Sequence, residues 1–406
     1  MVAELFYPSA GVPYFSSVGV TGLASEDALV LLRRQFHAYL DLVRVSTPRP
    51  FLHYSSWYDL RRHPCIDSTV LGLPHCSAAR TLDEETVEQR IEEIQLRLSE
   101  RGIELTGASL DDGWDDAALP WQVDRANFPS GLRHLVEEGH GRGVSLGVWM
   151  SPSGGFGEGG KRRVKTGAAM GFEFYADQFE KPSTLRLAGP QYFDWFYNAT
   201  KTLLDGGIRF FKFDGFGTRA TRGTDSEDID TLILLIQELR LAVPSMKASA
   251  VTGIWPSPWW LCSMDFLWRG GPDLGREGNE KKSARQQWIT FRDGTVHKLL
   301  QRAQLFPLSS LSTGGLVWSA AEEPGAYLNS FDLKDFAQDV QSFFLSGAMH
   351  HDLQIQPQLL TREHWDILGS YINISIKYSD VLRHSYWMGG DPSQGEAETF
   401  AFALRV

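Results

Sequence analysis

Arg209-Phe210-Phe211-Lys212-Phe213-Asp214-Gly215 is the stretch on which the fold turns. It follows Gly206-Gly207, a stop signal for the amphipathic run at 191–205, and a second amphipathic run comes after it at 225–241. A short β-rich run between two helical runs is a βα unit, and such units in series build a parallel sheet. Seven more runs of the same kind flank this one, at 51–57, 105–110, 145–150, 246–251, 262–268, 311–318 and 343–349. Helices are clearest between them at 83–101, 280–301 and 333–341, the first opened by Asp83-x-x-Thr86 with Glu84 and Glu85 in its first turn. Eight strands with intervening helices predict a (β/α)₈ TIM barrel rather than an open doubly wound sheet.

The barrel is expected over 49–383. A short N-terminal helical segment, 1–48, precedes it, with helical spacing at Leu29, Leu32, Phe36 and Leu40. A helix at 361–381 closes it. A C-terminal β tail, 384–406, starts a small β element with alternation at Thr399-Phe400-Ala401-Phe402-Ala403-Leu404. The 406 residues suffice for such a barrel, and 42% hydrophobic content fills a large core. With 39 basic against 50 acidic residues, net −11, there is no basic stripe for nucleic acid or anionic membrane. No stretch of 18 apolar residues occurs, and Met1-Val2-Ala3-Glu4 carries no leader pattern. A cytoplasmic location is the expectation, secreted or periplasmic if a signal peptide has been removed. Three cysteines, with Cys65 and Cys76 able to pair, form neither a disulfide framework nor a zinc motif. Thirteen tryptophans serve either a core or flat faces that pack on sugar rings.

In such a barrel the chemistry sits at the C-terminal ends of the strands. Carboxylates collect there: Trp57-Tyr58-Asp59 after the first strand, Asp111-Asp112-Gly113-Trp114 after the second, Asp214 at the end of the fourth, and Arg269-Gly270-Gly271-Pro272-Asp273 after the sixth. The third strand ends in Trp149-Met150-Ser151 without an acid. Asp115 and Asp116 read as caps or loop ion pairs. Alternation puts Lys212 and Asp214 on one face of the fourth strand, where the ammonium favours an ionised carboxylate, as a nucleophile needs. Asp273, in a Gly-Pro loop, is the partner that holds a proton for the leaving oxygen. Two carboxyl groups flanking one bond are what glycosidic cleavage requires.

At these residues the sequence resembles clan D of the glycoside hydrolases, nearest family 36, over roughly residues 50–350. Asp111-Asp112-Gly113-Trp114, Lys212-Phe213-Asp214, Arg269-x-x-x-Asp273 and Ser56-Trp57 carry the resemblance. It implies a retaining α-glycosidase that removes terminal α-galactosyl-type residues by double displacement, with Asp214 as nucleophile and Asp273 as acid/base. It implies that Asp111, Asp112, Lys212 and Arg269 bind sugar hydroxyls, that Trp57 walls the pocket and that Trp114 and Trp149 also contact substrate, with no cofactor and no metal. The substrate would be an α-galactoside or an α-N-acetylgalactosaminide. Transglycosylation of the raffinose-synthase kind and an inactive sugar-binding barrel remain open. The sequence departs from family 36 in its short N-terminal part and in Ser151-Pro152-Ser153-Gly154-Gly155, where an acidic segment usually follows the third strand.

Three other features invite a role. The 154–160 stretch either cradles substrate or turns. Trp255, Trp259 and Trp260 surround two prolines, as a packed loop or an acceptor-side platform. His350-His351-Asp352 follows the predicted eighth strand; adjacent histidines point different ways and no His-x-His stands on the first strand, so it reads as pocket polarity rather than a metal centre.

Overall fold

The computed structural model describes residues 26–61, 80–215, 226–251, 257–271, 281–303, 306–319, 332–388 and 401–403. Nine parallel segments form one sheet: β1 Phe51–Ser55, β2 Gly107–Leu110, β3 Ser145–Met150, β4 Phe210–Phe213, β5 Lys247–Ala250, β6 Phe266–Trp268, β7 Leu311–Ser312, β8 Leu316–Trp318 and β9 His350–Ile355. Their order is β7-β6-β5-β4-β3-β2-β1-β9-β8. β7 pairs with β6 and β8 pairs with β9, yet only three residues separate β7 from β8. The two are one strand position split in the middle, and through it the sheet curls shut as a (β/α)₈ barrel. The split falls at Gly314-Gly315, both at positive φ (99° and 77°), where L side chains are strained and a ladder cannot run straight.

Helices α1 Glu26–Val43, α2 Glu84–Ser99, α3 Arg133–Gly141, α4 Gly157–Ala169, α5 Pro190–Asp205, α6 Ser226–Ala242, α7 Ala284–Ala303, α8 Leu333–Phe344 and α9 Arg362–Lys377 accompany the strands. Asp83 caps α2, accepting from the Thr86 amide at 2.8 Å, as its spacing predicts. Two helices, α3 and α4, were not foreseen. The latter begins inside the glycine-rich 154–160 stretch, after Gly154 and Gly155 turn the chain at positive φ. Tyr386–Met388 and Ala401–Ala403 pair antiparallel.

The eighth strand lies at His350–Ile355, not at 343–349. Phe343 and Phe344 are the buried last turn of α8, and Gly347, at φ 90°, makes the turn into the strand. The apolar character of Phe343-Phe344-Leu345 belongs to a helix face, whereas β9 reads as polar because its inward residues His350, Asp352 and Gln354 line a cavity.

Outward side chains of the strands join the helices in the main core, which includes Leu52, Tyr54, Ala108, Leu110, Val148, Phe211 and Phe213. A second cluster, Phe51, Phe210, Phe266 and Met349, fills the barrel interior, with Leu382 against it. Glycines make room for it. A Cβ on Gly107 would lie 2.6 Å from Phe51, and one on Gly147 would lie 2.8 Å from Phe210. Gly107→Ala therefore overpacks the barrel and should lower stability by about 1–3 kcal/mol, read as a shift in urea midpoint. Trimming the obstructing ring in Gly107→Ala/Phe51→Leu should recover part of the loss. An unchanged midpoint in the single variant would contradict this packing.

Candidate active site

Above the aromatic plug, the barrel opens into a cavity of about 300 Å³. Strand alternation decides what faces it. From β1 come His53 and Ser55, from β4 Phe210 and Lys212, from β5 Ser249, and from β9 His350, Asp352 and Gln354. The loops beyond the strands add Trp57, Tyr58, Asp111, Asp112, Phe156, Asp214 and Val251.

Asp214 sits immediately past the end of β4. One carboxylate oxygen accepts from the Trp149 indole Nε1 at 3.1 Å and the other from the Gly215 amide at 2.7 Å. Gly215 is at φ 71°, so the chain turns sharply enough for its own N–H to reach back. Lys212, two residues earlier on the same face, donates to Asp111 Oδ2 at 2.7 Å rather than to Asp214. Burial by itself would lower the lysine pKa, but the Asp111 carboxylate, helped by Asp214, outweighs it and holds the ammonium firmly charged. Asp111 is placed by the strand ends: its amide donates to Ser56 Oγ at 2.9 Å, and its Oδ1 accepts from the Asp112 amide at 2.9 Å.

Behind this row lies an ion cluster in which Asp115 is ion-paired, as its loop position predicts, to a cation that sequence reasoning missed. Arg163, in α4 and 1% exposed, donates through Nε to Asp115 at 2.8 Å and through Nη2 to both Asp115 and Asp112. Its guanidinium packs 4.7 Å from the Trp121 ring and 5.3 Å from Trp149. Desolvation raises the Asp112 pKa, while Arg163 works against that shift. Trp121 holds φ 64°, a left-handed backbone for a bulky residue, with its amide on Asp115 and its indole on the Tyr192 hydroxyl at 3.0 Å. Nothing in the spacing of Gly157–Ala169 marks Arg163; only the fold brings it to residues about fifty positions away.

Of the residues named from sequence, the structure gathers Trp57, Asp111, Asp112, Trp149, Lys212 and Asp214 around the cavity. Asp273 lies outside the described residues, as do Cys65, Cys76 and Trp255. Trp114 does not line the pocket. Gly113, at φ 117°, turns the chain, and Trp114 is fully buried with its indole donating to the Trp149 carbonyl at 2.7 Å. It supports the wall rather than forming it. Arg269 is also absent from the lining: it is 1% exposed, donates to the Thr313 and Gly270 carbonyls and packs on Trp268 at 4.3 Å. Asp59 is a structural acid, accepting from Tyr54 at 2.7 Å and Arg90 at 3.0 Å. Trp259 packs edge-on against Tyr39, and Trp260 is buried, so neither borders the cavity.

The histidine pair divides as alternation requires. His350 faces the cavity; burial lowers its pKa to about 3. His351 faces the core beside Phe343 and Phe344, near the Ala348 carbonyl at 3.0 Å, and burial lowers its pKa to about 4. An unfolded histidine takes up a proton near pH 6.5, which the folded His351 refuses until about pH 4. Its share of stability is thus complete above pH 6.5 and is lost as the pH falls toward 4. The urea midpoint should drop across that window, and His351→Gln should flatten the slope; an equal slope in the variant would refute the assignment.

No family model matches the chain. Among solved structures, it is similar to the galactosidase domain of an α-galactosidase–sucrose kinase, with 15% identity, TM-score 0.61, and coverage of 90% of this chain and 46% of that one. It is equally similar to the GH36 α-galactosidase AgaA from Geobacillus stearothermophilus in complex with raffinose, with 15% identity, TM-score 0.61, and coverage of 92% and 49%. The chain shares its barrel fold with these α-galactosidase structures. An α-galactosidase from Thermus thermophilus in complex with stachyose follows, with 17% identity, TM-score 0.56, and coverage of 84% and 69%. In sequence, α-galactosidase 1 from Pediococcus pentosaceus is 38% identical over 72 residues, 16% of this chain and 10% of that protein. The chain thus spans a little under half the length of the first two structures and a tenth of the curated relative. Among the described residues, no helix is long and apolar enough to cross a membrane.

Proposed function

We propose that the chain is a retaining α-glycosidase that removes terminal α-galactosyl-type residues. The observation that carries this reading is Asp214: a carboxylate at the end of β4, oriented by Trp149 and Gly215, facing a cavity beside the Lys212–Asp111 pair. The barrel shared with family 36 α-galactosidases supports the same reading. In the first step an Asp214 oxygen bonds to the anomeric carbon as the C1–O bond breaks, and Asp273 gives its proton to the departing oxygen. In the second, water attacks C1, Asp273 takes the water's proton, and the ester to Asp214 breaks, restoring the α configuration. Asp111, Asp112 and Lys212 are charged groups suited to grip sugar hydroxyls, while Trp57 and Trp149 offer flat faces. Asp112 owes its placement to Arg163.

Proton NMR of the first-formed anomer, run on p-nitrophenyl α-galactoside and α-N-acetylgalactosaminide, tests the reading. The α anomer should appear first from the galactoside. A β anomer would sink the retaining mechanism. Faster turnover of the N-acetyl substrate would replace galactose with N-acetylgalactosamine, and sugar transfer outrunning hydrolysis would make the chain a transglycosylase. Saturable galactose binding without turnover would leave a sugar-binding barrel.

A further inference from the structure

We propose that the floor of the cavity is a binding site for one divalent transition-metal ion of the zinc class, held by His53, His350 and Asp352. One ligand atom from each lies within 4.8 Å of the others, and all three side chains are buried and face the cavity. They come from adjacent parallel strands, His53 on β1 and the other two on β9, with His53 and Asp352 directly opposite in register.

Three of the buried polar atoms without a partner among the described residues belong to the cluster. His53 Nδ1 meets Asp352 Oδ1 at 3.2 Å, which leaves the second nitrogen of His53 turned elsewhere. That Nε2 and both ring nitrogens of His350 are buried without a hydrogen-bond partner among the described residues. Buried polar atoms are nearly always paired, and a neutral imidazole keeps one lone-pair nitrogen, so the unpaired rings at the cavity floor suit an occupant that accepts a lone pair from each. The rings are preset by packing. His350 stacks on Phe266 at 4.6 Å, and His53 is held between Phe51 at 5.2 Å and Phe210 at 4.8 Å. Asp352 Oδ2 accepts from Gln354 Nε2 at 3.2 Å, the kind of supporting bond that orients a ligating carboxylate.

Two imidazoles and a carboxylate suit Zn²⁺, and Co²⁺ occupies the same donor set. Charge favours a cation as well. Four carboxylates line the cavity (Asp111, Asp112, Asp214 and Asp352); among the described residues Lys212 engages Asp111 and Arg163 engages Asp112, so the acids outnumber these two cations. Three protein ligands leave a coordination position open toward the cavity, where water or a substrate hydroxyl binds. The sequence concealed the set because its members lie on the first and last strands, and because the first strand contributes a single histidine.

The proposal stands apart from the glycosidase reading, and its test does not use activity. The purified protein is loaded with Zn²⁺ or Co²⁺, dialysed against metal-free buffer and measured by elemental mass spectrometry and visible absorption. The expected result is one retained equivalent, with the d–d bands of a four- or five-coordinate Co²⁺ ion. His350→Gln and Asp352→Asn should each lower retention at least tenfold, while His140→Ala, on an exposed helix face, should change nothing. Failure of the wild-type protein to retain metal overturns the proposal whatever the variants do, as does full retention in both folded variants. If the variants do not fold, zinc-edge X-ray absorption on the wild-type protein decides: two imidazole ligands uphold the site, and their absence overturns it.

Discussion

Asp214→Asn should reduce turnover by about 10⁴- to 10⁶-fold, the scale at which a covalent nucleophile is lost. The change is nearly isosteric, and the site is prepared to accept it. The amide oxygen can still accept from Trp149 or from Gly215, so the fold and the cavity should survive. What disappears is the bond to the anomeric carbon. A neutral amide is a poor nucleophile, and the first displacement stops. Three measurements separate this outcome from general damage. The thermal midpoint should stay near that of the wild type, binding of galactose should persist, and added azide should restore turnover of an activated substrate while yielding the β-glycosyl azide. Azide attacks once, from the face that Asp214 vacated, so a single inversion replaces two. Near wild-type activity in the variant would remove Asp214 from the mechanism.

The second large effect is one of stability. Arg163→Met should cost about 3–5 kcal/mol, because it removes the cation from a buried cluster and leaves Asp115 and Asp112 without it. Asp115 is completely buried and its carboxylate also receives the Trp121 amide, so it cannot swing out to water. A protein of ordinary stability has about 5–15 kcal/mol in total, so such a loss is a large fraction of the whole. The methionine approximates the arginine stem, which isolates the lost charge from lost volume. Since Arg163 also packs on Trp149, and Trp149 orients Asp214, the surviving folded fraction should show a lower kcat as well. Chemical denaturation at neutral pH measures the first effect. A shift below 1 kcal/mol would mean that the acids find other partners.

How much of this was legible in the sequence depends on whether a signal was local. β1, β3 and β4 announce themselves because short apolar runs are flanked by turn residues, and α2 because Asp83 and Thr86 sit at capping distance along the chain. Asp111, Lys212 and Asp214 could be gathered into one site since strand alternation and barrel geometry place them without knowledge of partners. β9 was misplaced for the opposite reason. Its inner face is polar because a cavity lies there, so hydrophobicity pointed to the end of α8 instead. Trp114 reads as a substrate contact in the sequence because the turn at Gly113, which directs it inward, is a backbone property that composition does not reveal. Arg163 with Asp112, across about 50 residues of adjacent βα units, and His53 with Asp352, across about 300 residues by pairing of the first and last strands, are brought together only by the fold. No local pattern encodes them.

The phenylalanines that seal the barrel have a consequence for traffic. With Phe51, Phe210 and Phe266 packed together beneath it, the cavity is closed at its inner end among the described residues. Under the proposed mechanism, what leaves after the first displacement departs on the side away from this plug, where the next reactant also arrives. Departure and arrival are then a queue, and the molecule waiting at the mouth, whether water or another sugar, decides whether the glycosyl group is released or handed on.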